Sequence, residues 1–237
     1  MLKIDLLFIC DVTGSMGGFI SDAQRRMKDI LGKLSKEFNV DTRVGLSLYR
    51  DHPSQDRSFV TVVFDLMSIE DIQEKINSIS VDGGGDYQEA VLDGIIEGIK
   101  TMSWREEARR IAFLIGDAPP HGMDGKDCCY CGKTWGEAVQ VAEENNVPIY
   151  SIPLNKADEV VSAFKTLSTF TGGLLLDADN AMDAVLTTLK EELGDMNLGA
   201  KVLDMLSKDK TPEEICKMLN IDRDKLSELE TKATVTA

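Results

Sequence analysis

The chain has 237 residues, 43% apolar and 28% charged, with a formal net charge of −15. That length suits one large domain with a small appendage, or two modest domains. So acidic a chain lacks the basic surface with which nonspecific nucleic-acid binders displace counterions, and no apolar stretch approaches the ~20 residues that span a bilayer.

Residues 3–10 (KIDLLFIC) form a nearly continuous apolar run, the pattern of a strand covered on both faces. Charges at Asp5 and Asp11, with no small-residue cleavage site, make this a strand and not a signal peptide, so the chain reads as cytoplasmic. A helical pattern runs through Phe19, Ile20, Met27, Ile30, Leu31, Leu34 and Phe38. Strands follow at 42–50 and 58–66, and their brief link favours an antiparallel edge hairpin. Helical patterns occupy 69–79 and 87–102. Then come a buried strand at 110–117, a helix near 134–145, a strand at 147–154, a helix at 157–170, a short strand at 173–177 and a helix at 180–193. Alternating strands and helices predict an α/β fold: a doubly wound, mostly parallel sheet with one antiparallel edge strand.

After Gly194 the strand signals stop. Residues 195–237 read as a helical appendage with a frayed end, leaving 1–194 as the main domain. Thr211-Pro212-Glu213-Glu214 is a helix start: a hydroxyl cap, proline at the first position, then acids. Residues 211–230 superficially resemble a helix-turn-helix. Asp222, Asp224, Glu228 and Glu230 against Arg223 and Lys225 favour a packing or protein-docking bundle over a DNA reader.

Chemistry concentrates at the strand ends. In open α/β sheets, ligands collect outside the carboxyl ends of the strands where strand order reverses. Asp11 closes the first strand and Asp117 the fourth, while Thr13 and Ser15 follow in the first loop. If those strands are neighbours, the four make an all-oxygen pocket suited to Mg²⁺ or Mn²⁺. Gly14, Gly17 and Gly18 are the expected places for a sharp backbone turn beside it. Each residue also has a plain reading, since hydroxyls and acids after strands commonly cap helices.

The stretch DVTGS (11–15) resembles the D-x-[S/T]-x-S signature of von Willebrand factor A (VWA) domains, with their metal-ion-dependent adhesion site. The likeness extends over roughly 1–194, through GGGDYQEA (83–90), GDAPPHG (116–122) and YRDH (49–52), and is nearest to intracellular VWA domains such as those linked to alpha-type protein kinases. The resemblance implies Asp11, Thr13, Ser15 and Asp117 as metal ligands. It also implies a partner protein that offers an exposed Asp or Glu to the ion. The family's middle-loop threonine is absent: Gly85 falls in its place, with Asp86 beside it, either ligating the ion or capping the next helix. Arg50, Asp51 and His52 end the second strand. With His121 they are candidate partner contacts on the rim, the alternative being an ordinary surface turn.

Five cysteines, an odd count, suggest reduced thiols. His121, Cys128 and Cys131 could hold Zn²⁺, but C-C-x-C is a poor match to paired zinc knuckles, and free thiols are the expectation. Three functions compete. They are a metal-dependent protein-binding module, a haloacid-dehalogenase-like phosphoryl hydrolase, and a scaffold with a vestigial ion site. The hydrolase pattern D-x-D-x-T needs an acid at position 13, where this chain has Thr13. Binding without catalysis is the reading these residues favour.

Overall fold

A computed structural model describes residues 2–53, 55–122 and 129–235, with side chains as far as 231. Five strands, β1 (Leu2–Asp11), β2 (Val40–Tyr49), β3 (Thr61–Met67), β4 (Arg109–Gly116) and β5 (Ile149–Pro153), form one sheet in the order β3-β2-β1-β4-β5. All pairings are parallel except β2 with β3, the expected edge hairpin. β1 lies at the centre and pairs with β2 and β4, so strand order reverses at its carboxyl end, between the exits of β1 and β4.

The period-2 alternation of β1 divides its side chains between two cores. Ile4, Leu6, Phe8 and Cys10 face one layer, with α1 (Gly17–Phe38), α2 (Ile69–Asn77) and the first half of α6 (Ala181–Leu206). Leu7 and Ile9 face the other, with α3 (Val91–Thr101), α4 (Trp135–Glu144) and α5 (Asp158–Phe170). α3 approaches the sheet closely through a small-residue stripe. A Cβ on Gly94 would lie 2.6 Å from the ring of fully buried Tyr49, and one on Gly98 would lie 2.7 Å from Ser47 Cβ. Gly94→Val is therefore expected to destabilise the chain by about 1–3 kcal/mol despite valine's better helix propensity. Urea denaturation checks this, and an unchanged midpoint would contradict the close approach.

Two expectations change. Residues 173–177 form no full strand. Leu175 makes a single parallel bridge to Ser151, through Ser151 N–H to Leu174 O (3.0 Å) and Leu176 N–H to Ser151 O (2.8 Å). Gly173 packs so tightly on Ile149 that a Cβ would sit 2.1 Å from its carbonyl oxygen. The second change concerns Gly194, where the sequence pattern alters: α6 runs through it unbroken. Beyond it, Val202 packs with Ile215 of α7 (Pro212–Leu219) and with Leu226 and Leu229 of α8 (Arg223–Val235) in a third, small core. α7 starts as its sequence indicates, with a capping box between Thr211 and Glu214 and Pro212 in its first turn. No helix among the described residues is long and apolar enough to cross a membrane.

Candidate metal centre at the strand ends

Asp11 is the last residue of β1 and is fully buried. Its Oδ1 accepts two hydrogen bonds from Thr13, from the backbone N–H at 2.8 Å and from Oγ1 at 2.6 Å, and Thr13 Oγ1 lies 3.3 Å from Ser15 Oγ. Thr13 is buried and Ser15 exposed, so the row of oxygens runs from the core outward. Asp11 Oδ2 is buried and has no hydrogen-bond partner among the described residues. Asp117 directly follows β4, is half-buried, and acts on Asp11 by charge.

The backbone turn beside this site comes from a different loop than expected. Gly14 opens a single 3₁₀ turn and Gly17 and Gly18 begin α1, none with positive φ. Gly83 (φ 78°) and Gly84 (φ 90°) adopt left-handed backbone instead, where glycine costs least. Their loop joins the first loop through Gly14 N–H to Gly83 O (3.4 Å) and Asp82 N–H to Val12 O (3.3 Å). A Cβ on Gly84 would be 3.3 Å from Glu89 Oε1 and 3.4 Å from Thr13 Cβ, which places the Glu89 carboxyl alongside the first loop.

Glu89 is the functional candidate that the sequence reading missed. It is only 4% exposed, and its Oε2 has no hydrogen-bond partner among the described residues. Its backbone is clamped by Glu89 N–H to Pro119 O (3.0 Å) and His121 N–H to Glu89 O (3.3 Å). Burial, and then the charges of Asp11, Asp51, Asp86 and Asp117, push its carboxyl from 4.5 up to about 9. Burial also lifts Asp11 from 3.8 to about 6. The Thr13 hydrogen bonds oppose that rise, and the charge of Asp117 adds to it. Asp86 stays exposed, with Oδ1 3.9 Å from His121 Nε2.

The four proposed rim residues are not on an exposed rim. Arg50 (5% exposed), Asp51 (0%), His52 (5%) and His121 (8%) are all buried. A buried guanidinium needs acceptors, and Arg50 finds Ser58 Oγ (2.9 Å) and Ser80 O (3.1 Å), faces Asp56 at 3.8 Å, and lies over the Phe59 ring. Asp51 Oδ1 accepts from His52 N–H (2.7 Å) and lies 2.9 Å from His121 Nε2, so it ties these loops together beneath the surface. The sequence also offered His121, Cys128 and Cys131 as a zinc set. Cys128 lies outside the described residues, and Cys131 sits against Asp93 and Cys129.

A family model for the von Willebrand factor type A domain matches residues 5–192. The alpha-protein kinase vwkA of Dictyostelium discoideum is 33% identical over 124 residues, which cover 51% of this chain and 19% of that protein. The "putative ariadne-like RING finger protein" of Acanthamoeba polyphaga mimivirus is 26% identical over 207 residues, covering 79% and 20%. This chain thus spans about a fifth of the length of these curated relatives. Among solved structures, the pilus adhesin SpaC from Lactobacillus rhamnosus GG superposes with a TM-score of 0.57 at 15% identity, over 82% of this chain and 30% of that one. Proximal thread matrix protein 1 from the mussel byssus gives 0.54 at 14% identity, over 81% and 46%. At such identities the likeness is one of fold. VWA domains are generally interaction or adhesion modules and typically not enzymes. The match takes in all five strands from Asp5 onward, helices on both faces of the sheet and both aspartate-bearing strand ends, and the chain belongs to the von Willebrand factor type A domain family.

Proposed function

We propose that this chain is a protein-binding module that holds a divalent cation, Mg²⁺ or Mn²⁺, at the ends of β1 and β4 and there receives an acidic side chain of its partner. One observation carries the reading. Asp11 Oδ2 and Glu89 Oε2 are buried carboxyl oxygens without a hydrogen-bond partner among the described residues, which is costly unless a cation or a proton compensates. An oxygen-only donor set suits a hard cation that retains waters. Asp11, Thr13, Ser15 and Asp117 would hold it. Glu89 lies beside them, and Asp86 stands farther out as a ligand or second-sphere acid.

When bound, the ion supplies a positive charge that prefers an anionic oxygen on its open side. The chain does the rest. Thr13 fixes Asp11 through two hydrogen bonds, and exposed Ser15 marks the side open to a partner. Asp11 and Asp117 bring two negative charges against +2. Glu89, whose carboxyl is held up at about 9 by burial and the neighbouring acids without metal, would add its charge to that balance as the ion draws off its proton. The hydrolase alternative is weakened because position 13 carries a hydroxyl already bound to Asp11 and not an acid.

Calorimetry of Mg²⁺ and Mn²⁺ with the full chain tests the reading. Wild type is expected to bind one ion, and Asp11→Ala to lose at least tenfold in affinity while staying folded. Equal binding by both proteins would overturn it. So would capture of an acidic peptide partner that is indifferent to chelator.

A further inference from the structure

We propose that His52, Asp93, Cys129 and Cys131 form a zinc site, distinct in residues and chemistry from the oxygen site at the strand ends. The four ligand atoms come from three separate segments: the loop after β2, the first turn of α3, and the loop after β4. Cys129 Sγ lies 3.2 Å from His52 Nε2 and 3.1 Å from Asp93 Oδ2. Cys131 Sγ lies 3.4 Å from Asp93 Oδ2 and 3.3 Å from Cys129 Sγ, and His52 Nε2 is 3.2 Å from Asp93 Oδ2. All four groups fall within 4.8 Å of one another. A tetrahedron with metal–ligand distances of about 2.0–2.3 Å has edges of about 3.3–3.8 Å. Five edges of this cluster already lie at or just under that span. A small outward adjustment would therefore seat an ion.

The donor chemistry selects the metal. Two sulfurs, one imidazole and one carboxylate are a borderline-soft set that suits Zn²⁺ and does not suit Mg²⁺. His52, Asp93 and Cys129 are buried, while Cys131 is exposed and closes the site from the solvent side. The surroundings are those that metal ligands use. His52 Nδ1 faces Asp51 Oδ1 at 3.5 Å, near the carboxylate–imidazole pairing that ligating histidines use. Lys133 Nζ holds Asp93 Oδ1 at 2.7 Å, which turns Oδ2 toward the sulfurs and the histidine. Two thiolates and a carboxylate bring −3 against the +2 of Zn²⁺, and Lys133, which also pairs with Glu97 at 2.9 Å, lies against the remaining charge. Binding would release the two thiol protons to solvent as two Zn–S bonds form, with no change of oxidation state.

Such an ion would staple the loop carrying Cys129 and Cys131 to α3 and to the end of β2. It would also reach the rim of the oxygen site. Asp51, which faces His52, also meets His121, whose Nε2 is 3.9 Å from Asp86.

The test uses the full chain in reducing buffer, stripped by chelation and reloaded with Zn²⁺ or Co²⁺. The wild type is expected to take up one equivalent of zinc and, with cobalt, to show a thiolate-to-metal charge-transfer band that oxygen ligands cannot produce. Cys131→Ser, at an exposed position, should keep the wild-type circular dichroism, lose about half of that band and bind zinc at least tenfold more weakly. Asp93→Asn should weaken zinc as well, and Asp11→Ala should leave zinc and the band unchanged. The assignment is overturned if the stripped chain takes up no thiolate-bound metal. It is also overturned if Cys131→Ser binds zinc as wild type does, or if Cys128→Ser loses the band while Cys131→Ser keeps it. Loss of two thiols to a Cys129–Cys131 disulfide, with no metal uptake after reduction, would overturn it too.

Discussion

Arg105→Ala is expected to destabilise the chain by about 3–5 kcal/mol, the cost of stranding a buried carboxylate. The stranded group would be Asp5, near the start of the central strand and fully buried. Arg105 satisfies it twice, through Nε to Oδ1 and through its backbone N–H to Oδ2, both at 2.8 Å. The same guanidinium also reaches Ile4 O and Asp41 O, each at 3.0 Å, and the Asp41 carboxylate, and so ties the starts of β1 and β2 to the segment before β4. Alanine keeps the backbone bond and removes the rest. Lysine offers one point charge where the fork made several bonds, and should recover only part of the loss. Urea denaturation of the three proteins checks this. A loss under about 1 kcal/mol for Arg105→Ala would show that the pair is no more than a surface bridge in energy.

The metal-free chain should become less stable as pH rises from about 5 to about 8, and Glu89→Gln should remove most of that fall. The sign follows from linkage. Glu89 and Asp11 have folded pKa values raised above their ordinary ones, to about 9 and about 6. The folded state therefore keeps protons that the unfolded state releases. Stability is greatest below the ordinary carboxylate range and is lost as pH climbs toward the folded values. Asp56, Asp65 and Asp93 are shifted the other way, so what they add is gained near and below their ordinary value and is already present above pH 5. For Glu89 the loss by pH 7 is at most about 3 kcal/mol, from about 1.36 kcal/mol per pKa unit. Glutamine keeps the shape without the acid, and the metal-free variant should melt several degrees above wild type at pH 8. Saturating Mg²⁺ should flatten the wild-type profile, because an ion favours the ionised acids. Parallel melting curves for wild type and Glu89→Gln across this range, with chelator, would refute the assignment to Glu89.

The strands and most helices could be read from the sequence because their signals are local. β1 alternates between two apolar faces, Thr211 and Glu214 cap α7 reciprocally, and Asp11 and Asp117 stand where apolar runs end. The adjacency of β1 and β4 was a condition of that reading, because strand order depends on the whole fold and not on local pattern, and the order β3-β2-β1-β4-β5 meets it. Glu89 was missed because an acid ahead of an apolar helix is ordinarily a solvated cap. Only the clamp between Pro119 and His121 takes it inside. Arg50, Asp51 and His52 were read as rim residues because they end the second strand, yet they are buried, and Ser80 and His121 from distant segments meet Arg50 and Asp51. Asp93 carried a usable signal: it is a lone acid within VLDGII, where an uncompensated charge on a buried helix face calls for a partner.

α6 is one rod of 26 residues, about 39 Å long at 1.5 Å per residue. Its root is seated on the sheet's helices by Met182, Val185, Leu189 and Leu193 and by the Arg26–Asp183 ion pair, and its far half carries the small core around Val202. A stiff rod held at one end is a lever. A tilt of about 5° at its root would carry the tip by roughly 3 Å over that length, enough to reposition whatever engages the terminal helices.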